Sequence, residues 1–301
     1  MNTQIKSKNK YYQLGASLYT PATNKHLVRE MGASGSTKSH SMIIDTEDAV
    51  APEHLETALE NLQAALKTAP AKEEVKRLRF IRPRNPKILE RILKMDCIDK
   101  IDGFVLPKCT IESIIIYREI LENCPHTFGI MPTIECIDMT RTSNIEQFKK
   151  ILDTFGKTEV ICIRIGGNDL FNELGLKRHP KVTIYETPLR VFIEKIVIGF
   201  RTSGYEIAAP VFDIVNDRIT LERELEFDMS YGLYAKTAIQ PAQAEFIEGF
   251  LSSYVKDNYN KALSVVDPSA VDAVYLSGGQ MMEKTCHINW AKRIVQLSDS
   301  F

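Results

Sequence analysis

The fold class expected from the sequence is α/β, a TIM (β/α)8 barrel with a C-terminal helical extension. Three observations point there. Eight short apolar, β-rich runs recur along the 301 residues, most of them separated by stretches of helical periodicity. Each strand–helix unit is on the order of 30 residues, the size an alternating barrel uses. Polar residues fall at the carboxyl ends of several runs, and in a parallel barrel those ends share one face. The expected division is a barrel over residues 1–256 and a helical extension or lid over 257–301.

The elements follow in order. Ala16-Ser17-Leu18-Tyr19-Thr20-Pro21 reads as a first strand stopped by proline. Helical sequence around Leu27 to Met31 leads into a Gly/Ser-rich break at Gly32-Ala33-Ser34-Gly35-Ser36. Ser41-Met42-Ile43-Ile44-Asp45 is the second strand. Leu55, Ala58, Leu59, Leu62, Ala65 and Leu66 then repeat at helical spacing, with Glu and Gln on the other face. Leu78-Arg79-Phe80-Ile81-Arg82 is the third strand, halted by Pro83, and helix is expected from about Pro86 to Met95. Gly103-Phe104-Val105-Leu106 is the fourth. Thr110 is placed to cap the next helix, whose apolar positions include Ile114, Tyr117 and Leu121.

Strand five, Gly129 to Ile134, ends in Glu135. Strand six, from Val160, ends in Gly166-Gly167-Asn168-Asp169. Glycines there let the backbone turn tightly and approach a ligand. Thr187-Pro188 opens a helix, a cap followed by proline. Ile207-Ala208-Ala209-Pro210 is strand seven and Lys236-Thr237-Ala238-Ile239 strand eight. Beyond Asp257, the segment Leu276 to Met282 reads as a turn opening a helix, a lid or an oligomer contact.

Composition narrows the function. A net charge of -1 gives no reason to expect nucleic acid or an acidic membrane as partner. The six cysteines are scattered, without Cys-x-x-Cys, which argues against a zinc site or disulfide framework and for reduced cytoplasmic thiols. Cys136 and Cys162, beside the carboxylate loops, read as buried small hydrophobes. The start is polar, with Lys6, Lys8 and Lys10, unlike a secretory signal, and no window approaches a membrane span.

The polar strand ends are Asp45, Glu47 and Asp48; Arg82 and Arg84; Lys108; Glu135; Asp169; Lys236 and Gln240. Glu135 and Asp169, on neighbouring strands, suit a hard cation such as Mg²⁺, which takes one or two protein carboxylates plus substrate oxygens and water. No Ser–His or Cys–His pair is evident, which argues against acyl-enzyme chemistry. A cation with an arginine nearby suits adjacent carboxylate and keto oxygens, and an enolate formed as a C–C bond breaks. The Asp45–Glu47–Asp48 cluster has two readings: it holds metal-bound water, or it orients Arg82 and caps the next helix.

These residues resemble the HpcH/HpaI aldolase and citrate lyase β-subunit family, from about Ser17 to Arg293. The segment Ile43-Ile44-Asp45-Thr46-Glu47-Asp48-Ala49-Val50-Ala51-Pro52 is similar to the family's most recognisable signature. Phe80-Ile81-Arg82, Thr133-Ile134-Glu135, Gly166 to Leu170, Lys236 to Gln243 and Gly279 to Met282 match five further motifs in order. The resemblance implies a TIM barrel assembled as a homotrimer or hexamer. It implies a Mg²⁺-dependent lyase that cleaves a β-hydroxy acid or its CoA thioester, of citryl-, malyl- or citramalyl-CoA type, to a 2-oxo acid and an acyl product. In that scheme Glu135 and Asp169 hold the metal, and Arg82 stabilises developing charge, with Asp45 and Glu47 beside it. Gly167, Asn168 and Pro210 join Arg82 in binding substrate. Glu283 of a neighbouring subunit, in place of the family's Asp, is the acid/base.

The chain also departs from the pattern. Gly15-Ala16 replaces the family's Arg-Ser, Arg84 an Asn, Ala209 an Asp, and Gln240 a His. The metal side is intact and the acyl-carrier side remodelled. Arg84, Lys108 and Arg178 are either solvated charges or a sign of a more anionic substrate. Two alternatives stand beside the lyase: a CoA-independent small-molecule aldolase of a biosynthetic pathway, and a non-catalytic barrel that binds an oxo acid or metal.

Overall fold

Parallel pairing carries the chain round a barrel. In the computed structural model, which describes residues 9–32, 37–267 and 273–301, the staves are β1 (Ala16–Pro21), β2 (Ser41–Asp45), β3 (Leu78–Arg82), β4 (Gly103–Leu106), β5 (Gly129–Ile134), β6 (Glu159–Val160), β7 (Ile163–Ile165), β8 (Ile207–Ala208) and β9 (Lys236–Ala238). Neighbours pair in sequence order, β9 returns to β1, and a bridge between Ala209 and Lys236 closes the last seam. Lys6, Lys8 and positions 33–36 of the Gly/Ser break lie outside the described residues.

Period-2 alternation decides what faces inward. Ile43, Phe80, Val105 and Met131 fill the barrel, while Met42, Ile44, Ile81, Phe104, Ile130 and Ile134 turn outward to the helices. Each is 0% exposed, and burying such a side chain contributes about 1.5–3 kcal/mol. The sixth stave is split, which the sequence did not suggest. β6 pairs with Gly129 and Ile130, then the chain steps across Ile161 and Cys162 before β7 pairs with Thr133 and Ile134. Ile161 packs over Gly129, so closely that a Cβ there would lie 2.4 Å from its Cδ1.

The helices are α1 (Leu27–Met31), α2 (Leu55–Thr68), α3 (Pro86–Ile92), α4 (Ile111–Glu122), α5 (Thr142–Leu152), α6 (Gly167–Glu173), α7 (Leu189–Arg201), α8 (Arg218–Ser230), α9 (Pro241–Val266) and α10 (Lys284–Ser298). In α2 the buried residues are Ala58, Leu59, Leu62, Ala65 and Leu66, the stripe the spacing predicts. Thr110 caps α4 in a capping box with Ser113. Asn85 caps α3 through Ile88 N–H at 3.0 Å, with Pro86 in the first turn.

Two expectations change in the tail. α9 runs unbroken through position 257, because apolar residues on one face, Ile247, Leu251, Val255 and Ala262, stay buried along its length. A boundary at 256/257 therefore falls inside one helix. Leu276 to Met282 forms a hairpin, β10 (Val274–Ser277) with β11 (Gln280–Glu283), rather than opening a helix directly. Gly278 and Gly279 take φ of 56° and 78° in its two-residue turn, values that favour glycine. α10 follows and packs along α9. Among the described residues, no helix is long and apolar enough to cross a membrane.

Candidate active site

At the carboxyl ends of the barrel strands a cavity of about 320 Å³ is lined by Asp45, Asp48, Arg82, Glu135, Asn168 and Asp169, among others. Glu135 follows β5 directly. Asp169 belongs to the first turn of α6 rather than to a strand end, because the chain coils as soon as it leaves β7. Gly166 joins β7 to α6 at close quarters: a Cβ there would lie 2.1 Å from Glu135 Cγ. The glycine is what lets Glu135 stand beside the α6 turn.

Glu135 is 7% exposed, and its Oε2 has no hydrogen-bond partner. Burial, reinforced by the negative charges of Asp169 and Glu47, pushes its carboxyl up to about 8. Burial also raises Asp169. Two carboxylates facing one cavity, one with an orphaned buried oxygen, form a donor set that a cation would satisfy. Among the described residues, no group of three or more His, Cys, Asp or Glu side chains is placed to hold a metal. The pair alone matches what Mg²⁺ commonly takes from a protein, with substrate and water completing its shell.

Arg82 closes one side. Its Nε donates to Asp45 Oδ1 at 2.7 Å and its Nη2 to Oδ2 at 2.6 Å, a two-point grip. Nη1 lies 3.1 Å from Glu47 Oε2 and 3.3 Å from Asp48 Oδ2. Asp45 also accepts the backbone N–H groups of Glu47 and Ala49, at 2.9 and 3.1 Å. Asp45 thus grips Arg82 and ties down the following loop. Arg84 braces the same loop by donating to the carbonyls of Thr46, Glu47 and Val50.

Lys108 enters from the strand-four loop, with a left-handed φ of 48°. Its Nζ pairs with Glu47 and with Asp48 Oδ1 at 3.1 Å, and lies 3.9 Å from Asp169 Oδ1. Burial raises the Glu47 carboxyl to about 7, with hydrogen bonding to Asp48 adding to the rise. Asp48 moves the other way: burial opposes its ionisation, but bonding to Glu47 and the charges of Arg82 and Lys108 outweigh that. Of the two, Glu47 is thus the one pushed toward its protonated form, and Asp48 is the member that reaches the cavity.

Other residues land elsewhere. Gly167 and Asn168 line the cavity; Pro210 does not, because it packs behind Gly167 and its carbonyl accepts Lys236 Nζ at 3.0 Å. Lys236 is 1% exposed and turns away from the site to Glu224 and Asp228 on α8, so it leaves the convergent set. Arg178, 5% exposed, joins that buried network through Glu224 and is neither a surface charge nor in the cavity. Gln240 begins α9 and lines a separate cavity with Phe246. Glu283 lies in the β11 strand, outside the residues that line the site within this chain. Cys162 is buried and Cys136 half-buried.

Sequence reading gave no site role to Tyr19, Thr133 or Thr237, which line the cavity, nor to its one further charged residue, Arg164, 2% exposed, on β7. The signal was present in Ile163-Arg164-Ile165, where outward isoleucines oblige the arginine to point into the barrel.

A family model described as C–C bond lyase of the TIM-barrel fold matches residues 8–301. No curated protein matches the chain in sequence. Among solved structures, CitE from Mycobacterium tuberculosis in complex with magnesium, acetoacetate and coenzyme A is 16% identical, with a TM-score of 0.66 over 96% of this chain and 99% of that one. RipC from Yersinia pestis is 20% identical, with a TM-score of 0.60 over 80% and 96%. A citrate lyase β subunit from M. tuberculosis complexed with oxaloacetate and magnesium is 17% identical, with a TM-score of 0.59 over 80% and 99%. At these identities the likeness is one of fold.

Proposed function

The chain belongs to the C–C bond lyases of the TIM-barrel fold, and from that premise we propose that it is a Mg²⁺-dependent lyase that splits a small β-hydroxy acid, or its CoA thioester, and releases a 2-oxo acid. The observation that carries this reading is the Glu135–Asp169 pair at the barrel mouth, one of whose buried oxygens has no partner. Solved relatives in fold carry magnesium with oxaloacetate, acetoacetate or pyruvate, which supports the same assignment.

Glu135 and Asp169 would hold the ion. Bound there, Mg²⁺ would supply electrophilic stabilisation to the carboxylate and keto oxygens of a 2-oxo acid. The protein's own share is orientation and proton handling. Asp45 fixes the Arg82 guanidinium with most of its N–H groups engaged, leaving one on Nη2 for the oxygen on which charge develops. Beside it Glu47 is pushed toward its protonated form, while Asp48, held ionised at the cavity wall, can accept a proton there. Asn168 and Gly167 shape the wall opposite.

The reading includes a cytoplasmic homo-oligomer, trimer or hexamer, in which Glu283 of one subunit serves the site of the next. Exposed apolar side chains on its hairpin, Leu276 at 79% and Met281 at 57%, support such a contact. Titration calorimetry with Mg²⁺ tests the core of the proposal. Wild type should take up one ion, and Glu135→Gln and Asp169→Asn should not, with circular dichroism unchanged. Uptake by both variants would remove the assignment. Turnover of citryl-, malyl- and citramalyl-CoA beside the free hydroxy acids then separates the thioester version from the free-acid one.

A further inference from the structure

The floor of the cavity carries a positive charge that no acid among the described residues neutralises. Arg164 stands in register with Thr133 on β5, two residues before Glu135. Its Nη2 donates to Thr237 Oγ1 at 2.5 Å, and its Nη1 lies 3.6 Å from the Met131 sulfur. Its guanidinium carbon is 5.8 Å from the centroid of the Tyr19 ring. Among the described residues, no carboxylate is within the ion-pair distance of 4.0 Å of it.

The contrast with Arg82 is direct. Both guanidiniums flank Tyr19, but Arg82 is matched by Asp45, Glu47 and Asp48. A buried, unpaired cation is costly to desolvate, and one hydroxyl, a thioether and a ring face offset only part of that cost. A second observation lies beside it: Thr133 Oγ1 is buried without any partner. Thr237, whose oxygen already accepts from Arg164, has its own proton left to donate. Cation and hydroxyls together present donors suited to a negatively charged acceptor.

The geometry points to an anion seat at the barrel floor, formed by Arg164, Thr133 and Thr237, which receives a second carboxylate of the substrate and selects for it. Thr133 and Glu135, at the end of β5 and just past it, stand two residues apart, about 7 Å of extended rise, a separation that a short diacid spans. One end of the ligand meets Glu135 and Asp169, and the other reaches down to Arg164. A malyl- or citramalyl-type thioester has no second carboxylate to bring to that floor, whereas a free diacid, or a citryl-type thioester with two free carboxylates, does. The oxo-acid half of this inference rests on the lyase reading; the seat itself rests on Arg164 and its surroundings.

Titration calorimetry with oxaloacetate and pyruvate, each with and without Mg²⁺, tests it on wild type, Arg164→Gln, Arg164→Lys and Thr133→Val. Wild type should hold the diacid about 30-fold or more tighter than the monoacid, the effect of a charged hydrogen-bonded pair. Arg164→Gln should bring that ratio near one while leaving Mg²⁺ uptake and pyruvate binding in place. Arg164→Lys should retain part of the preference and Thr133→Val should lower it, and the lysine variant decides the matter if the glutamine one does not fold. Equal affinity for the two acids in wild type, or a preference that survives Arg164→Gln, overturns the seat. Binding that ignores Mg²⁺ but still discriminates through Arg164 would overturn the metal reading and leave the seat standing.

Discussion

Asp45 holds Arg82 at two points, 2.7 and 2.6 Å, while being only 1% exposed at its side chain. Although Asp45 borders the cavity, both its oxygens are taken by the guanidinium and by the Glu47 and Ala49 N–H groups, so it holds Arg82 in place. Removing one partner leaves the other charge buried and uncompensated. Asp45→Ala should therefore cost about 3–5 kcal/mol of stability, read from urea unfolding, whereas an apolar replacement of both partners should cost less. A loss below about 1 kcal/mol in the single variant, the level of an exposed pair, would show that the grip is not a structural one.

Gly166 offers a cleaner probe of the proposed metal site than either carboxylate. A methyl group there would sit 2.1 Å from Glu135 Cγ, so Gly166→Ala must push the carboxylate aside without changing any charge. Mg²⁺ affinity should fall by about 10–100-fold, the usual effect of disturbing what supports a ligand. Calorimetry that finds unchanged affinity would mean that Glu135 is not placed by this contact.

Most of the barrel was legible because strand alternation and helix stripes are local signals. Ile43-Ile44-Asp45, Phe80-Ile81-Arg82 and Thr133-Ile134-Glu135 each carry an outward apolar residue before an inward polar one, and the cavity is built where those polar ends meet. What sequence order did not reveal was direction. Lys236 looked like a strand end facing the site, yet its partners Glu224 and Asp228 lie on the preceding helix, and a long flexible stem follows its counter-ions. Arg164 failed in the opposite sense: a charge between two isoleucines signals an inward cation, but only the closed barrel shows that no acid among the described residues waits for it.

His40 gives a dependence on pH remote from the site. Its Nδ1 meets Glu248 Oε2 at 2.5 Å, and Glu248 Oε1 accepts the backbone N–H groups of Ala16 and His40, at 2.9 and 2.8 Å. The Phe301 ring packs edge-on at 4.6 Å, and the Ser300 backbone also faces the imidazole. The hydrogen bond to Glu248, stronger than the opposing effect of burial, raises the imidazole above its ordinary 6.5. Its contribution to stability is complete below 6.5 and is lost as pH rises through the elevated native value. Urea midpoints measured across that window should fall for wild type and stay flatter for His40→Gln. Parallel curves for the two proteins would remove the linkage.

The buried network behind the last stave should govern cooperativity rather than catalysis. Glu224, fully buried, accepts from Arg178 at 2.6 Å, Lys236 at 3.0 Å and Ile184 N–H at 2.8 Å. Asp228 accepts from Lys236 at 2.8 Å and the Tyr185 hydroxyl at 2.5 Å. Together they tie the segment carrying Arg178 to Tyr185 onto α8 and β9. Glu224→Ala removes the carboxylate that two buried cations share, leaving Lys236 only Asp228 and Arg178 only the half-buried Asp213 at 3.0 Å, so a loss of about 3–5 kcal/mol is expected. Replacing Arg178, Glu224 and Lys236 together by apolar residues of similar volume should recover most of it, since the desolvation cost disappears with the charges. A triple variant as unstable as Glu224→Ala alone would show that the network's directional bonds, and not the balance of its charges, hold this side of the barrel closed.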